Sequence, residues 1–234
     1  MKKIISLALA ALLVLSLVSC GDKLGKSLEK AEVGDVITMG TYEQDNNEAN
    51  GKEPIEWRVL AKEDGKVLLI TDKVIDCHPF NDEMKGEVSW EESTIRKWLG
   101  EEFITTAFTE NEAGRILETT NKNAENRDYQ IPEKADTIDR VFLLSISETT
   151  EYMGNGENSA AANEICVAYP TEYAMEKGIE VRNDGAVMWW LRETTAQFEG
   201  AACDDLGKRF YRGRAMNYPS TGVRPAMWVK IQAK

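Results

Sequence analysis

Three short runs constrain this chain more than anything else in it. Val67-Leu68-Leu69-Ile70, Val141-Phe142-Leu143-Leu144 and Val187-Met188-Trp189-Trp190-Leu191 carry no charged side chain. Each is far shorter than an ordinary helix, and each is too apolar to face water. They therefore predict strands covered on both faces. Other segments predict half-buried strands. Ile55-Glu56-Trp57-Arg58-Val59 alternates apolar and charged side chains, and Asp64-Gly65 then supplies a tight hairpin turn. Val36–Met39 and Arg209–Arg212 read as further β-prone runs. Val223–Ile231 reads as the closing strand, with Pro225 confined to its start or to an edge.

Helical signals lie between these runs. Ser89-x-x-Glu92 and Thr109-x-x-Glu112 are capping-box patterns. Ile95, Trp98, Leu99 and Phe103 follow the first at the spacing of one helix face. Two main helices in the middle of the chain are expected from this. Ser145-x-x-Glu148 predicts a short helix ending near Gly154, and Thr171–Lys177 one more, closed by Gly178. The polar stretches 43–53 and 121–136 read as loops. No repeat of fixed period and no linker-like break occurs. Residues 33–234 are thus expected to form a single α+β domain with mixed short strands, its last strand closing against its beginning.

The first nineteen residues have a different character. Lys2 and Lys3 precede fifteen uncharged residues, Ile4–Val18, too few to span about 30 Å of hydrocarbon comfortably as a helix. These are the proportions of a secretory leader. It ends in Leu17-Val18-Ser19-Cys20-Gly21, which resembles the lipobox of bacterial lipoproteins. That resemblance implies a signal peptide over residues 1–19, lipidation of Cys20, and an extracytoplasmic body anchored to the cell membrane. The polar run after Cys20 reads as a lipidated tether over residues 20–32.

Charge and rare residues exclude several functions. With 28 basic and 40 acidic side chains the net charge is −12. Nucleic acid is therefore a poor partner, since its binding rests on neutralising phosphates. Contact with the membrane is expected through the N-terminal lipid only. Beyond Cys20 there are three cysteines, Cys77, Cys166 and Cys203, and no C-x-x-C. An odd number leaves at least one free thiol, and no structural zinc site is expected. His78 is the only histidine. It could pair with a nucleophile only at Cys77, and adjacent residues on a strand point to opposite faces. No Walker A, G-x-G-x-x-G or G-x-S-x-G motif occurs. No metal, no cofactor and no catalytic residue is assigned.

Eight pieces in order resemble one bacterial extracytoplasmic family, DUF6273. They are VGDVITMGTYEQ (33–44), PIEWRVL (54–60), FN (80–81), WEESTIRKWLGEEF (90–103), AFTENEAGRI (107–116), VFLLS (141–145), WWLR (189–192) and GVRPAMWV (222–229). The resemblance implies a location and a fold, with no activity attached. WWLR and GVRPA are also similar to the closing strands of the C-type-lectin-like fold of retroelement-diversified and formylglycine-generating-enzyme-like proteins. That likeness implies an irregular loop region carrying a ligand surface. Glu53-Pro54 is followed by Ile55 and no W-N-D occurs, so the calcium-lectin pattern is not matched. Only Cys203 lies late in the chain, where the formylglycine-generating enzymes have a pair.

The stretch from Glu193 to Thr221 is the expected ligand face. Arg209, Tyr211, Arg212, Arg214, Asn217 and Tyr218 fall within it, a cationic and aromatic cluster in an acidic protein. Arginine and tyrosine combine planar hydrogen bonding with large contact area. Such a face suits an anionic or polyhydroxy ligand, a cell-envelope glycan or protein. The competing reading pairs these arginines with surplus carboxylates. Arg192 and Arg224 lie inside apolar strands and read as structural arginines in buried ion pairs, with ligand contact as the alternative. The expected function is a non-enzymatic binding module on a surface lipoprotein. Its alternatives are a hydrolase of envelope polymers using unrecognised carboxylates, or an architectural component of a surface complex.

Overall fold

A computed structural model describes residues 22–125, 131–154, 164–182, 184–196 and 198–232. Two sheets form the body. In the first, β1 (Val36–Tyr42), β2 (Glu53–Glu63), β3 (Lys66–Thr71) and β11 (Ala226–Lys230) lie in the order β1-β2-β3-β11, all antiparallel. Gly65 turns the β2–β3 hairpin at φ 75°, a conformation that favours glycine. The apolar run Val67–Ile70 is the interior of this sheet and is fully buried. In the second sheet, β4 (Asp76–Cys77), β10 (Gly222–Val223), β7 (Trp189–Ala196), β8 (Glu199–Cys203) and β9 (Arg209–Ala215) lie in the order β4-β10-β7-β8-β9. Only the β10–β7 pair is parallel. A two-stranded ribbon joins β5 (Thr119–Asn121) to β6 (Thr137–Asp139). With its short helices the architecture is α+β.

The expected single closing strand is divided between the sheets. Gly222–Val223 belongs to the second sheet and Ala226–Lys230 to the first. Arg224-Pro225 makes the crossing. Proline has no N–H for a ladder, while its carbonyl accepts from Thr71 N at 3.1 Å. β11 pairs with β3 and not with β1, which lies at the opposite edge. The run Val141–Leu144 is buried as expected but forms only one bridge, Phe142 with Ala226.

Helix signals held where the cap chemistry is complete. Thr109 and Ser145 each form a reciprocal box, with Glu112 and Glu148. They start α4 (Glu110–Ala113) and α5 (Ile146–Met153). Ser89 and Glu92 also bond each other, at 2.9 Å, but they close a turn. The helix begins after Ser93, whose hydroxyl accepts from Arg96 N. It runs through α2 (Thr94–Trp98), a π-helical turn (Leu99–Phe103) and α3 (Ile104–Ala107). Ile95, Leu99 and Phe103 are buried as the spacing predicts. The second of the two expected middle helices is the single turn α4. The helix α6 (Glu172–Glu176) ends before Gly178, at φ 92°.

The tether reading needs correction. Residues Lys23–Lys30 form α1, capped by Asp22, whose side chain accepts from Gly25 N at 2.8 Å. Leu28 is wholly buried beneath it. Lys62 donates to the carbonyls of Glu29 and Ala31 at its C-terminal end. Arg115 pairs with Asp22 and donates to Ile231 O at 2.7 Å, so the start of the described chain is fastened to its end. Leu24 and Leu28, four residues apart in a polar run, give this short helix its apolar stripe. Cys20 and the leader lie outside the described residues.

Candidate functional site

One cavity is bordered by converging polar and aromatic side chains. It has a volume of about 300 Å³, at the lower end of the range for small-ligand sites. α5 and β7 supply one side through Ser147, Glu148, Glu151, Tyr152, Glu193 and Thr194. Thr120, Lys122, Asn123, Ala124, Glu125, Ile131, Pro132 and Lys134, with Trp90, supply the other.

Arg192 organises the floor. Its side chain is fully enclosed, and all five of its N–H donors have acceptors. The two terminal nitrogens grip Glu148 at 2.8 and 3.1 Å. They also reach Leu143 O at 2.7 Å and Lys122 O at 3.2 Å. Nε donates to Asn123 Oδ1 at 3.1 Å. Planar guanidinium geometry suits this bidentate grip, which a lysine could not reproduce. Glu148 is placed for it by the helix start, since its Oε2 also accepts from Ser145 N at 2.7 Å. The cap residue and the ion-pair partner are thus one carboxylate. This is the structural ion pair expected for Arg192, set in a cavity wall.

A second carboxylate sits beside the first. Both oxygens of Glu193 face the adjacent amide, Ile146 N, at 2.8 and 3.0 Å. Desolvation pushes the Glu193 carboxyl up to about 7, against the opposing pull of Arg192. Tyr152 on the rim is pushed up to about 12 by desolvation and by Glu151 and Glu148, so its hydroxyl keeps its proton. Trp90 is held by its indole N–H, which donates to Asp139 Oδ2 at 3.0 Å. Burial works to raise the Asp139 carboxyl. Hydrogen bonds from Thr137, Trp90, Asn121 and Arg96 outweigh it and hold the group below the usual carboxylate range.

The cations around the cavity already have partners. Lys122 pairs with Asp136, Lys134 with Glu87, and Arg192 with Glu148. What faces the space is a set of hydroxyls, amides and carboxylate edges beside the Tyr152 phenol, with the buried Trp90 indole behind.

The expected ligand face divides differently. Its first two residues, Glu193 and Thr194, border the cavity. Arg209 is buried, at 3% exposure, and does not join a surface. Arg214 pairs with Glu180 at 2.6 Å and stacks on Tyr218, its guanidinium carbon 4.5 Å from the ring centre. Tyr218 donates to the same carboxylate at 3.3 Å, and Asn217 is exposed. Tyr211 and Arg212 belong to β9, but their side chains lie outside the described residues. For Arg214 the competing reading, pairing with surplus acid, is what the geometry gives. Arg224 is buried at 1% exposure, yet it bonds the carbonyls of Thr71 and Asp72 and, among the described residues, no carboxylate, which corrects the expected ion pair.

Cys77 and His78 form no dyad. The Cys77 thiol faces Ala174 O, and burial pushes it up to about 11. His78 Nε2 instead lies 3.4 Å from Asp76, a buried carboxylate that also takes Tyr42 and Lys177. The indoles fill the core as expected, with Trp57, Trp189 and Trp190 fully enclosed. Each of those three donates its N–H to a backbone carbonyl.

Sequence reasoning had placed the Ser145–Glu148 pair as a cap only. The available signal for the rest was Arg192-Glu193, two charges at the end of an apolar strand. WWLR and GVRPA also proved to be neighbours, because Gly222 pairs with Trp189.

No helix among the described residues is long and apolar enough to cross a membrane. No curated protein and no solved structure matches the chain. The family model for a domain of unknown function, DUF6273, matches residues 64–231, which takes in the second sheet, β3 and β11 of the first, α5 and every cavity residue named above. The chain therefore belongs to the DUF6273 family.

Proposed function

We propose that this protein is a surface-anchored lipoprotein whose domain binds an uncharged, polyhydroxylated ligand of the cell envelope, a glycan, in the cavity between α5 and β7. The observation that carries the reading is that the cations of the cavity are already paired. Its arginine and both lysines are taken by carboxylates of the protein itself. An anionic ligand would have to displace one of those pairs, whereas a hydroxyl-rich one needs only donors and acceptors. Ser147, Glu151 and the Tyr152 hydroxyl offer these, and the Tyr152 ring offers an apolar face. Anchoring through Cys20 rests on the leader and lipobox pattern. The lectin-like likeness of WWLR and GVRPA belongs to the same proposal and is supported by their adjacency across β7 and β10.

The test is a glycan array probed with the mature chain, followed by titration of tryptophan fluorescence. Binding of an envelope oligosaccharide is expected, weakened about tenfold by Tyr152→Ala, an effect of about 1.4 kcal/mol. Absence of any glycan signal from a folded sample would refute the reading.

Glu193 favours a second reading, glycoside hydrolysis. A carboxyl holding its proton near neutrality beside another carboxylate is the pattern of a general acid. Against it, the oxygens of Glu148 are occupied by Arg192 and Ser145 N. Release of new reducing ends from the bound glycan, abolished by Glu193→Gln, would favour this reading over simple binding.

A further inference from the structure

Three arginine nitrogens in the core have no hydrogen-bond partner. They are Nε and Nη2 of Arg209 and Nη1 of Arg224. Both residues are more than nine-tenths buried. Among the described residues no carboxylate lies at ion-pair distance from either. Asp72 is the acid that Arg224 feels, and its carboxylate is taken by Arg58. An enclosed cation with no counter-ion is among the most destabilising features a core can contain.

Two thiols occupy the space beside these cations. Arg209 Nη1 points to Cys166 Sγ at 3.9 Å. The Cys203 thiol, also in the core, is the neighbour that acts most strongly on the Cys166 thiol. Arg209 and Cys203 are direct partners across β8 and β9, and Cys203 faces Trp189 across β7 and β8. Arg224 stacks on the Trp189 ring, its guanidinium carbon 4.8 Å from the centre, and the Trp189 indole donates to Cys166 O at 2.9 Å. Met153 Sδ lies 3.6 Å from Cys166 Sγ, placed to accept from the thiol when it carries its proton.

We infer that Cys166 is carried as a thiolate, the internal counter-ion of Arg209 and Arg224, with Cys203 as the thiol that hydrogen-bonds it. The proton of Cys166 passes to solvent as the chain folds, and no electron is transferred. This centre lies apart from the cavity and does not depend on what the cavity binds. Among the described residues, the titratable groups that act on the sulfur are Cys203 on β8, Arg209 on β9 and Arg224 on the crossing between sheets. The hydrogen bond from Cys203 and the two guanidiniums bring the Cys166 thiol down to about 7, against burial. Burial and the neighbouring Cys166 push the Cys203 thiol well up, so it keeps its proton. An acid with a lowered folded value stabilises the fold fully above its unfolded value, near 9, and loses that contribution as pH falls through about 7.

The test is the ultraviolet thiolate absorbance of the folded, full mature chain as pH is lowered. One thiolate per chain is expected above neutrality, disappearing with a midpoint near 7. Cys166→Ser should remove the step, and Cys77→Ser should leave it. Arg209→Met should move the midpoint up by about one unit or more, and it gives an independent reading if Cys166→Ser fails to fold. A folded chain with no such step would overturn the assignment. So would an intact mass showing a Cys166–Cys203 disulfide. A melting temperature that rises with chloride while no thiolate is seen would also overturn it, by assigning the counter-ion to solvent.

Discussion

Two clusters of buried arginine occupy this molecule and solve the same problem in opposite ways. Around Arg192 every donor is matched, and the charge is balanced by a carboxylate that also caps a helix. Around Arg209 and Arg224 three nitrogens are unmatched, and Arg209 turns its remaining nitrogen to a sulfur. The first cluster lies against a cavity and the second lies inside the core. A carboxylate keeps its charge across physiological pH, so the first is a fixed frame. A thiol can gain or lose its proton near neutrality, so the second responds to conditions. The same residue type thus gives rigidity in one place and adjustability in the other, according to the partner supplied.

The largest contrast should come from removing the partner acid. Glu148→Ala leaves Arg192 enclosed and unpaired and also strips the α5 cap. A loss of about 3–5 kcal/mol is expected in urea unfolding. A much smaller loss would show that water or another acid compensates, and the contrast would fail.

Glu193 tests the same cluster with the opposite sign. Its carboxyl is pushed up to about 7 in the fold, above its unfolded range. The folded state therefore binds more protons between those values, and stability falls as pH rises through that window. Glu193→Gln keeps an acceptor for Ile146 N and should stabilise the fold by about 1–2 kcal/mol at about pH 8. The gain should vanish at about pH 4, and an equal effect at both pH values would refute it.

In the second cluster Arg209→Met should be tolerated. Two of its donors are unsatisfied already, and a thiolate left behind can take up a proton. A change of about 1 kcal/mol is expected, well below that of Glu148→Ala. Arg214→Ala should be nearly silent, about 0.5 kcal/mol, because its pair with Glu180 is reached by solvent. It should also leave glycan binding unchanged. A lost signal there would return the ligand face to the Arg214–Tyr218 region.

Local chemistry was legible in the sequence, and long-range chemistry was not. Thr109–Glu112 and Ser145–Glu148 could be read as caps because three residues contain the whole interaction. Ser89–Glu92 satisfied the same pattern but closed a turn, since Ser93 could cap the next segment equally well. Apolar content identified Val67–Ile70 as interior. It could not reveal that Val223–Ile231 changes sheets, because Arg224-Pro225 breaks pairing without breaking hydrophobicity. The arginines in apolar strands were readable as buried, but the kind of partner was not. Glu148 for Arg192 and Cys166 for Arg209 are each more than forty residues away in the chain. The cavity escaped for the same reason, since its acids are ordinary members of a set of forty.

The seating of α1 changes how a lipid on Cys20 would present this body. Asp22 already belongs to the folded unit, so the acylated residue would stand only two residue steps from it, a leash of roughly 7 Å. Such a protein cannot swing like a ball on a chain. It would stand against the headgroups with the α1 end down, and the direction in which its cavity opens would be set by the fold.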